Sequence, residues 1–419
     1  MTLRSSSVSW IWGTSSEDGP CSSRQTSSLR SWGQTVNRCL SIVHFLGKPR
    51  SGGLFLRTIQ QCAERGWSTH VVWTDRPADP VLAKSFMDAG CEINVLPRPR
   101  GNFDLRCVLR TFRLLRHVRC DLFHCLNIHT SPLIAAALAR VPVRIWSKYS
   151  MSPYYERDET PAGLHRLHVS TRLSCRLAHR VLPISETVRD ELVTHGAPAS
   201  KLIVAPGPIA LERIATASMN GVRAGVGLQS SHLVITTVGH AVPVKGWDVL
   251  LEAFASLAKH VPQARLLLVG STADPHEVET ACELRALASN LGISAVVYFL
   301  GRRNDIPQIL ATSDIFVLPS RSEGQPFALK EALAAGVPCI ATRVGGIAEV
   351  ITHNRNGLLF DRDDISQLAV CLRALLDNPD VRKKLGAQGR ASVQRFDMGE
   401  ATNKMLDLYE TLLAQSGVL

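Results

Sequence analysis

From Leu40 onward, short apolar runs alternate with longer stretches whose apolar residues recur every three or four positions. The runs at 40–46, 69–74, 92–96, 121–126, 143–147, 181–184 and 202–205 have the length and composition of buried strands. A glycine-rich turn at 47–53 follows the first run, and the helix after it ends at Gly66. Between 206 and 232 the pattern breaks: Pro206-Gly207-Pro208 reads as a turn, and 218–232 has little periodicity. Alternation then restarts, with strands at 233–239, 265–270, 296–301, 314–319, 338–342 and 357–360 and helices such as 247–260 and 327–335. Three helical stretches, 364–377, 379–393 and 399–415, close the chain. Strand–helix alternation implies a parallel sheet covered on both faces. The expectation is an α/β protein of two doubly wound, Rossmann-like domains, 39–205 and 206–398, facing across a cleft. Ligands bind such sheets outside the carboxyl ends of their strands.

Composition changes this picture in three places. The first 38 residues are rich in serine and glycine and lack apolar periodicity, so they read as a disordered extension rather than a secretory signal. The eleven cysteines are scattered with no CxxC pair, which points to small buried residues in a reducing cytoplasm rather than a disulfide framework. His124-Cys125 with Cys120 and His129 nearby hints at zinc, but neighbours on a strand point to opposite faces. The net charge of +11 is uneven: residues 39–205 carry roughly +10 and 206–419 about −1.

The basic excess concentrates on a helix at 104–119. Arg106, Arg110 and Arg113 share one face, with Arg116, Arg119, Leu105 and Leu109 close by. One reading is an amphipathic helix packed on its own sheet; the other is attraction to an anionic membrane surface or a lipid-phosphate acceptor. No aromatic-interleaved basic motif accompanies the charge, so nucleic acid is not expected as a partner.

The densest chemistry lies at Pro319-Ser320-Arg321-Ser322-Glu323-Gly324-Gln325-Pro326-Phe327-Ala328-Leu329-Lys330-Glu331. A buried strand ends at Pro319, and Pro326 suits a first helical turn. The N–H groups of Phe327, Ala328 and Leu329 would then point out of a helix end that attracts anions. Gly324 permits close approach of a ligand to the backbone. Glu323 precedes the helix and Glu331 lies more than a turn inside it. Two acids so spaced suit a ligand with hydroxyls at both ends and phosphate between. Lys245, after the first strand of the second domain, brings a compact positive charge suited to phosphate, with His240 as a further donor. Gly52-Gly53 occupies the matching turn in the first domain. Neither domain's first strand is followed by GxGxxG, and GxxxxGK[ST] is absent, which removes a dinucleotide fingerprint and a P-loop.

With these residues the chain resembles the GT-B glycosyltransferases of family 4, from about Leu40 to Leu413. The Glu-x7-Glu pattern stands as Glu323 and Glu331. Asp314-Ile315-Phe316-Val317-Leu318-Pro319-Ser320 precedes it and Glu331-Ala332-Leu333-Ala334-Ala335-Gly336 follows. Val344-Gly345-Gly346-Ile347-Ala348-Glu349, Asn356-Gly357-Leu358-Leu359-Phe360 and Pro183-Ile184-Ser185-Glu186-Thr187 are further family-like segments. The resemblance implies a retaining, metal-independent transferase that moves a hexose-type sugar from a UDP- or GDP-sugar to a glycan or lipid-linked acceptor. It implies that Glu331 binds the ribose, Glu323 the sugar hydroxyls, and Lys245 the diphosphate with the N–H groups of Gly324 to Ala328. It places Arg302 by the nucleobase and folds the last helix back onto the first domain. It implies no cofactor, and a cytoplasmic protein, peripheral on the inner face of the membrane if its basic domain binds lipid. His240 stands where the family often has arginine. On the acceptor side the family's histidine has no clear counterpart in 144–149, leaving Lys148 or Tyr149 for that place. Two other readings fit the same fold: a sugar-nucleotide epimerase, and a catalytically silent binding protein.

Overall fold

The computed structural model describes residues 40–47, 53–74, 80–126, 130–151, 161–218, 221–271 and 275–419. The extension at 1–38, Gly52 and His129 lie outside them. The first half runs β1 (Ser41–Gly47), α1 (Gly53–Glu64), β2 (Ser68–Trp73), α2 (Pro80–Asp88), β3 (Cys91–Val95), α3 (Leu105–His117), β4 (Leu122–Leu126), α4 (Ser131–Leu138), β5 (Val143–Lys148), α5 (Pro161–Leu177), β6 (Arg180–Pro183) and α6 (Glu186–Thr194). Two short helices, α7 (Leu211–Ala215) and α8 (Val222–Val226), occupy the stretch where periodicity failed. The second half runs β7 (Leu233–Val238), α9 (Trp247–Ala258), β8 (Ala264–Val269), α10 (Pro275–Asn290), β9 (Val297–Gly301), α11 (Ile306–Ala311), β10 (Ile315–Leu318), α12 (Phe327–Ala334), β11 (Cys339–Thr342), β12 (Leu358–Phe360), α13 (Ile365–Asp377), α14 (Pro379–Ser392) and α15 (Met398–Gln415).

Each half carries a six-stranded parallel sheet, ordered β3-β2-β1-β4-β5-β6 and β12-β11-β10-β7-β8-β9. In both orders the chain reverses direction beside the first strand, opening a crevice between β1 and β4 and between β7 and β10. The run at 202–205 does not become a strand. Leu202 bridges Val181, and Ile203 and Ala205 donate to the carbonyls of Val181 and Pro183. Pro206 follows at once and has no N–H with which to continue a ladder.

Strand alternation divides the first core. Val43, Phe45, Phe123 and Cys125 face α3 to α6, whereas Ile42 and Leu122 face the other side. There α15 returns from the second half and lays Met405, Leu406, Tyr409, Leu412 and Leu413 onto Leu40, Ile42, Leu122 and Ile145. His44 and His124 are fully buried beneath it. The Tyr409 hydroxyl lies 2.6 Å from His124 Nδ1 and 3.2 Å from His44 Nε2, and His124 Nε2 lies 2.7 Å from Ser147 Oγ. Both nitrogens of His124 are therefore engaged in hydrogen bonds, which leaves no lone pair for the zinc site its neighbourhood suggested. Burial holds both imidazoles neutral, His44 down to about 3 and His124 well below its ordinary value.

Candidate functional site

The loops after β7 and β10 lie side by side at the carboxyl edge of the second sheet. After β7 the chain passes through a single 3-10 turn, Pro243–Lys245, before α9 begins. Gly246 sits at φ +62°, and a Cβ there would meet the Pro319 carbonyl at 2.1 Å, so no other residue fits. Arg321 joins the two loops. Its N–H donates to Val244 O at 2.7 Å, and its guanidinium forks onto Asp248 at 2.6 and 3.0 Å and reaches Asp363 at 2.7 Å. Such a bidentate pair fixes orientation as well as distance.

The clamp brings Lys245 to Glu323. Nζ donates to Glu323 Oε1 at 2.6 Å, and Ser320 Oγ donates to the same oxygen at 2.7 Å. The two residues are only 8% and 5% exposed, so this is a buried charge pair whose geometry is held by the surrounding backbone. Three glycines let the Glu323–Gly324 backbone lie against its neighbours. A Cβ on Gly345 would come within 1.9 Å of Glu323 O, one on Gly346 within 2.0 Å of Gly324 O, and one on Gly324 within 2.5 Å of Tyr149 O.

Tyr149 belongs to the first half, just past β5, so the loops at the two carboxyl edges meet at Gly324. A second bridge lies nearby. The Glu349 carboxylate accepts from the N–H groups of Glu186 and Thr187 at 3.0 and 2.9 Å and from Thr187 Oγ1 at 2.8 Å, capping α6 across the cleft.

Pro326 takes the N-cap position of α12 rather than its first turn, because its ψ of 119° is extended. The helix end carries no side-chain cap. The N–H groups of Phe327, Ala328 and Leu329 open α12 directly after Gly324 and Gln325. Leu329 itself is a core residue, and Phe327 is 40% exposed with its ring against Gly207, so only the backbone of this turn can serve an anion. The Gln325 amide turns inward: Oε1 accepts from Gly207 N at 3.0 Å and from Lys330 Nζ at 2.8 Å.

The remaining candidates sit on several elements of both halves. Glu331 lies just over one turn along α12, and burial pushes its carboxyl above the usual range against the pull of Arg213 and Lys330. His240 pairs with the buried Glu277 at 2.8 Å. Arg302 is exposed just past the end of β9. Gly53 opens α1. Lys148 ends β5, 9% exposed, and burial pushes the Tyr149 phenol well above its ordinary range. Among the described residues, no group of three or more His, Cys, Asp or Glu side chains converges as metal ligands would.

Arg321, Ser320, Glu349 and Lys330 were not singled out from the sequence. Arg321 meets Asp248 and Asp363 only through the fold, and no local pattern marks that pairing. The N–H groups that open α6 after Ser185 were the one available signal for Glu349, since a helix start needs acceptors.

Two family models match the chain: "Glycosyl transferase 4-like domain" over residues 54–208 and "Glycosyl transferases group 1" over 222–392, together well over half its length. The D-inositol 3-phosphate glycosyltransferase of Saccharomonospora viridis is 31% identical over 57% of this chain and 56% of its own. The chain spans about half the length of such curated relatives. An Escherichia coli protein, UDP-Gal:alpha-D-GlcNAc-diphosphoundecaprenol alpha-1,3-galactosyltransferase, is 25% identical over 73% of this chain and 79% of its own. The crystal structure of Anabaena HepE in complex with UDP-glucose superposes with a TM-score of 0.75 over 89% of this chain and all of that one, at 21% identity. Two facing six-stranded parallel sheets, the paired loops at their carboxyl edges and both family models lead to one assignment: the chain belongs to the group 1 glycosyltransferases of GT-B fold.

Proposed function

We propose that this chain transfers a hexose-type sugar from a UDP- or GDP-sugar to a hydroxyl of a glycan or lipid-linked acceptor, with retention of anomeric configuration and without a metal ion. The observation that carries the reading is the buried Lys245–Glu323 pair beside the uncapped start of α12, where the two halves touch. The hard step is departure of a nucleoside diphosphate, whose charge must be stabilised as it develops. The Lys245 ammonium and the N–H groups of Gly324, Gln325, Phe327, Ala328 and Leu329 are positive groups already in place, and preorganised donors act without reorganisation cost. Glu323 accepts two hydrogen bonds, which suits it to hold sugar hydroxyls rather than to attack the anomeric carbon. The acceptor hydroxyl would then attack from the face of the leaving group, its proton passing to the departing phosphate oxygen. Glu331 suits the ribose hydroxyls and Arg302 the base, and Lys148 or Tyr149 would serve the acceptor side. HepE, of the same fold, binds UDP-glucose, which supports this donor class.

The outer face of α3 favours an acceptor held at an anionic membrane. Phe103, Leu105 and Leu109 are exposed among Arg106, Arg110, Arg113 and Arg116, and among the described residues none of these arginines has an ion pair. Of these, Arg106 and Arg110 line a cavity of about 110 Å³ together with Arg98, Arg100 and Asp104. No helix of the described residues is long and apolar enough to cross a membrane. Failure to co-sediment with phosphatidylglycerol vesicles at low salt would remove this surface from the account.

Incubating the purified chain with UDP- and GDP-hexoses in EDTA tests the whole reading. Slow donor hydrolysis is expected. Epimerised nucleotide sugar would support the epimerase, and neither binding nor turnover would leave only a non-catalytic role.

A further inference from the structure

Two chain crossings join the halves: 206–209 leads outward, and Phe396–Asp397 leads back into α15. They run together, with Ile209 N–H donating to Phe396 O at 2.9 Å and Ile209 bridging Asp397. Lys330 points from α12 into this junction and is completely buried. Its Nζ donates to the carbonyl of Gly207, on the first crossing, and to Gln325 Oε1 at 2.8 Å, on the loop that follows Glu323. Gln325 Oε1 closes the triangle by accepting Gly207 N–H at 3.0 Å. The rings of Phe327, at the start of α12, and Phe396, on the second crossing, lie 4.6 and 4.9 Å from the same nitrogen. One amine therefore touches the donor loop and both crossings.

We propose that Lys330 is a positioning residue that ties the donor loop to the hinge between the halves, so that movement of either is transmitted to the other. The inference rests on the transfer reading and assigns Lys330 no contact with substrate. A methionine would fill nearly the same volume without burying a polar head, so packing does not call for an amine here. Among the described residues no carboxylate hydrogen-bonds to Nζ, and burial pulls the amine down to about 7. The charge that acts on it is Glu331 on its own helix; Arg213 on α7 acts in turn on Glu331, and the Arg395 guanidinium lies 4.8 Å from the Phe396 ring centre. The hinge has no slack at this point, because a Cβ on Gly207 would meet the Phe327 ring at 2.6 Å. Gly324 rests against Tyr149 of the first half, so a ligand that repositions Gly324 and Gln325 acts on the interface and the hinge together.

The test compares wild type with Lys330→Met, using UDP and GDP as probes. Hydrogen–deuterium exchange is read over 205–209, and steady-state kinetics with the donor found by screening. In wild type, nucleotide should protect 205–209. In Lys330→Met, nucleotide affinity should stay within about threefold, protection of 205–209 should vanish, and kcat should fall at least tenfold with KM little changed. Gln325→Leu, which removes the loop end of the tie, should likewise lose the protection and serves if Lys330→Met does not fold. Either folded variant transmitting protection and turning over like wild type would overturn the proposal, whatever its melting temperature. Absence of nucleotide binding by wild type would instead overturn the transfer reading, and this tie with it.

Discussion

Replacing Lys245 by methionine removes one member of a buried ion pair and strands the other. Among the described residues, Glu323, 5% exposed, would keep only the Ser320 hydroxyl as a side-chain donor. Stranding a buried charge in this way costs about 3–5 kcal/mol. Unfolding entropy near 2.1 cal/mol/K per residue gives roughly 0.8 kcal/mol/K for the ~380-residue folded part, so the melting temperature should fall by about 4–6 °C. The double variant Lys245→Met/Glu323→Gln removes both charges and keeps an acceptor for Ser320, and it should regain most of that loss. Binding should not be regained. A charge-assisted hydrogen bond to the diphosphate contributes about 1.5–3 kcal/mol, a 10- to 150-fold weakening of UDP or GDP in both variants. Differential scanning fluorimetry and isothermal titration calorimetry read the two quantities separately. A Lys245→Met protein that melts with wild type and binds nucleotide equally well would refute the reasoning, because the ammonium would then be neither a buried partner nor a phosphate ligand.

Other perturbations probe the frame around this centre. Glu349→Ala leaves the first N–H groups of α6 without their acceptor, which should cost about 0.5–2 kcal/mol and raise amide exchange at Glu186 and Thr187. Gly246→Ala combines a left-handed φ with a clash against Pro319 O, a loss of about 2–5 kcal/mol visible as a lowered urea midpoint. Acidification should destabilise the first half. His44 and His124 are both depressed from 6.5, so the unfolded chain takes up their protons first. Their contribution is complete above about pH 6.5 and is lost as pH falls below it, that of His44 down to about pH 3, at up to about 1.4 kcal/mol per unit for each. Urea midpoints measured between pH 7 and 5 should fall, and Tyr409→Phe should lower the whole curve by leaving two imidazole nitrogens without their partner.

The strands were legible because a parallel sheet covered on both faces demands nearly continuous apolar runs. Residues 202–205 satisfy that demand and still fail as a strand, since apolar content cannot register that Pro206 ends the ladder beside an edge strand. The donor loop was legible for a different reason. Pro319, Glu323, Gly324 and the helix start are contiguous, so their juxtaposition needs only local geometry. What escaped notice depends on pairing over long separations: Arg321 with Asp248, Glu349 with α6, and Tyr409 with His124, 285 positions away. Gln325 shows the limit within the motif itself. Its place in the loop was plain, but the direction of its amide, inward to Gly207 and Lys330, follows from where the hinge runs.

A crystal structure of the wild-type chain with UDP, or with GDP if that binds more tightly, bears most directly on the site. The diphosphate should lie within hydrogen-bonding reach of Lys245 Nζ and of the N–H groups that open α12, with the ribose beside Glu331. A nucleotide seated elsewhere, for instance among the α3 arginines, or one held in the cleft by groups other than these, would contradict the assignment.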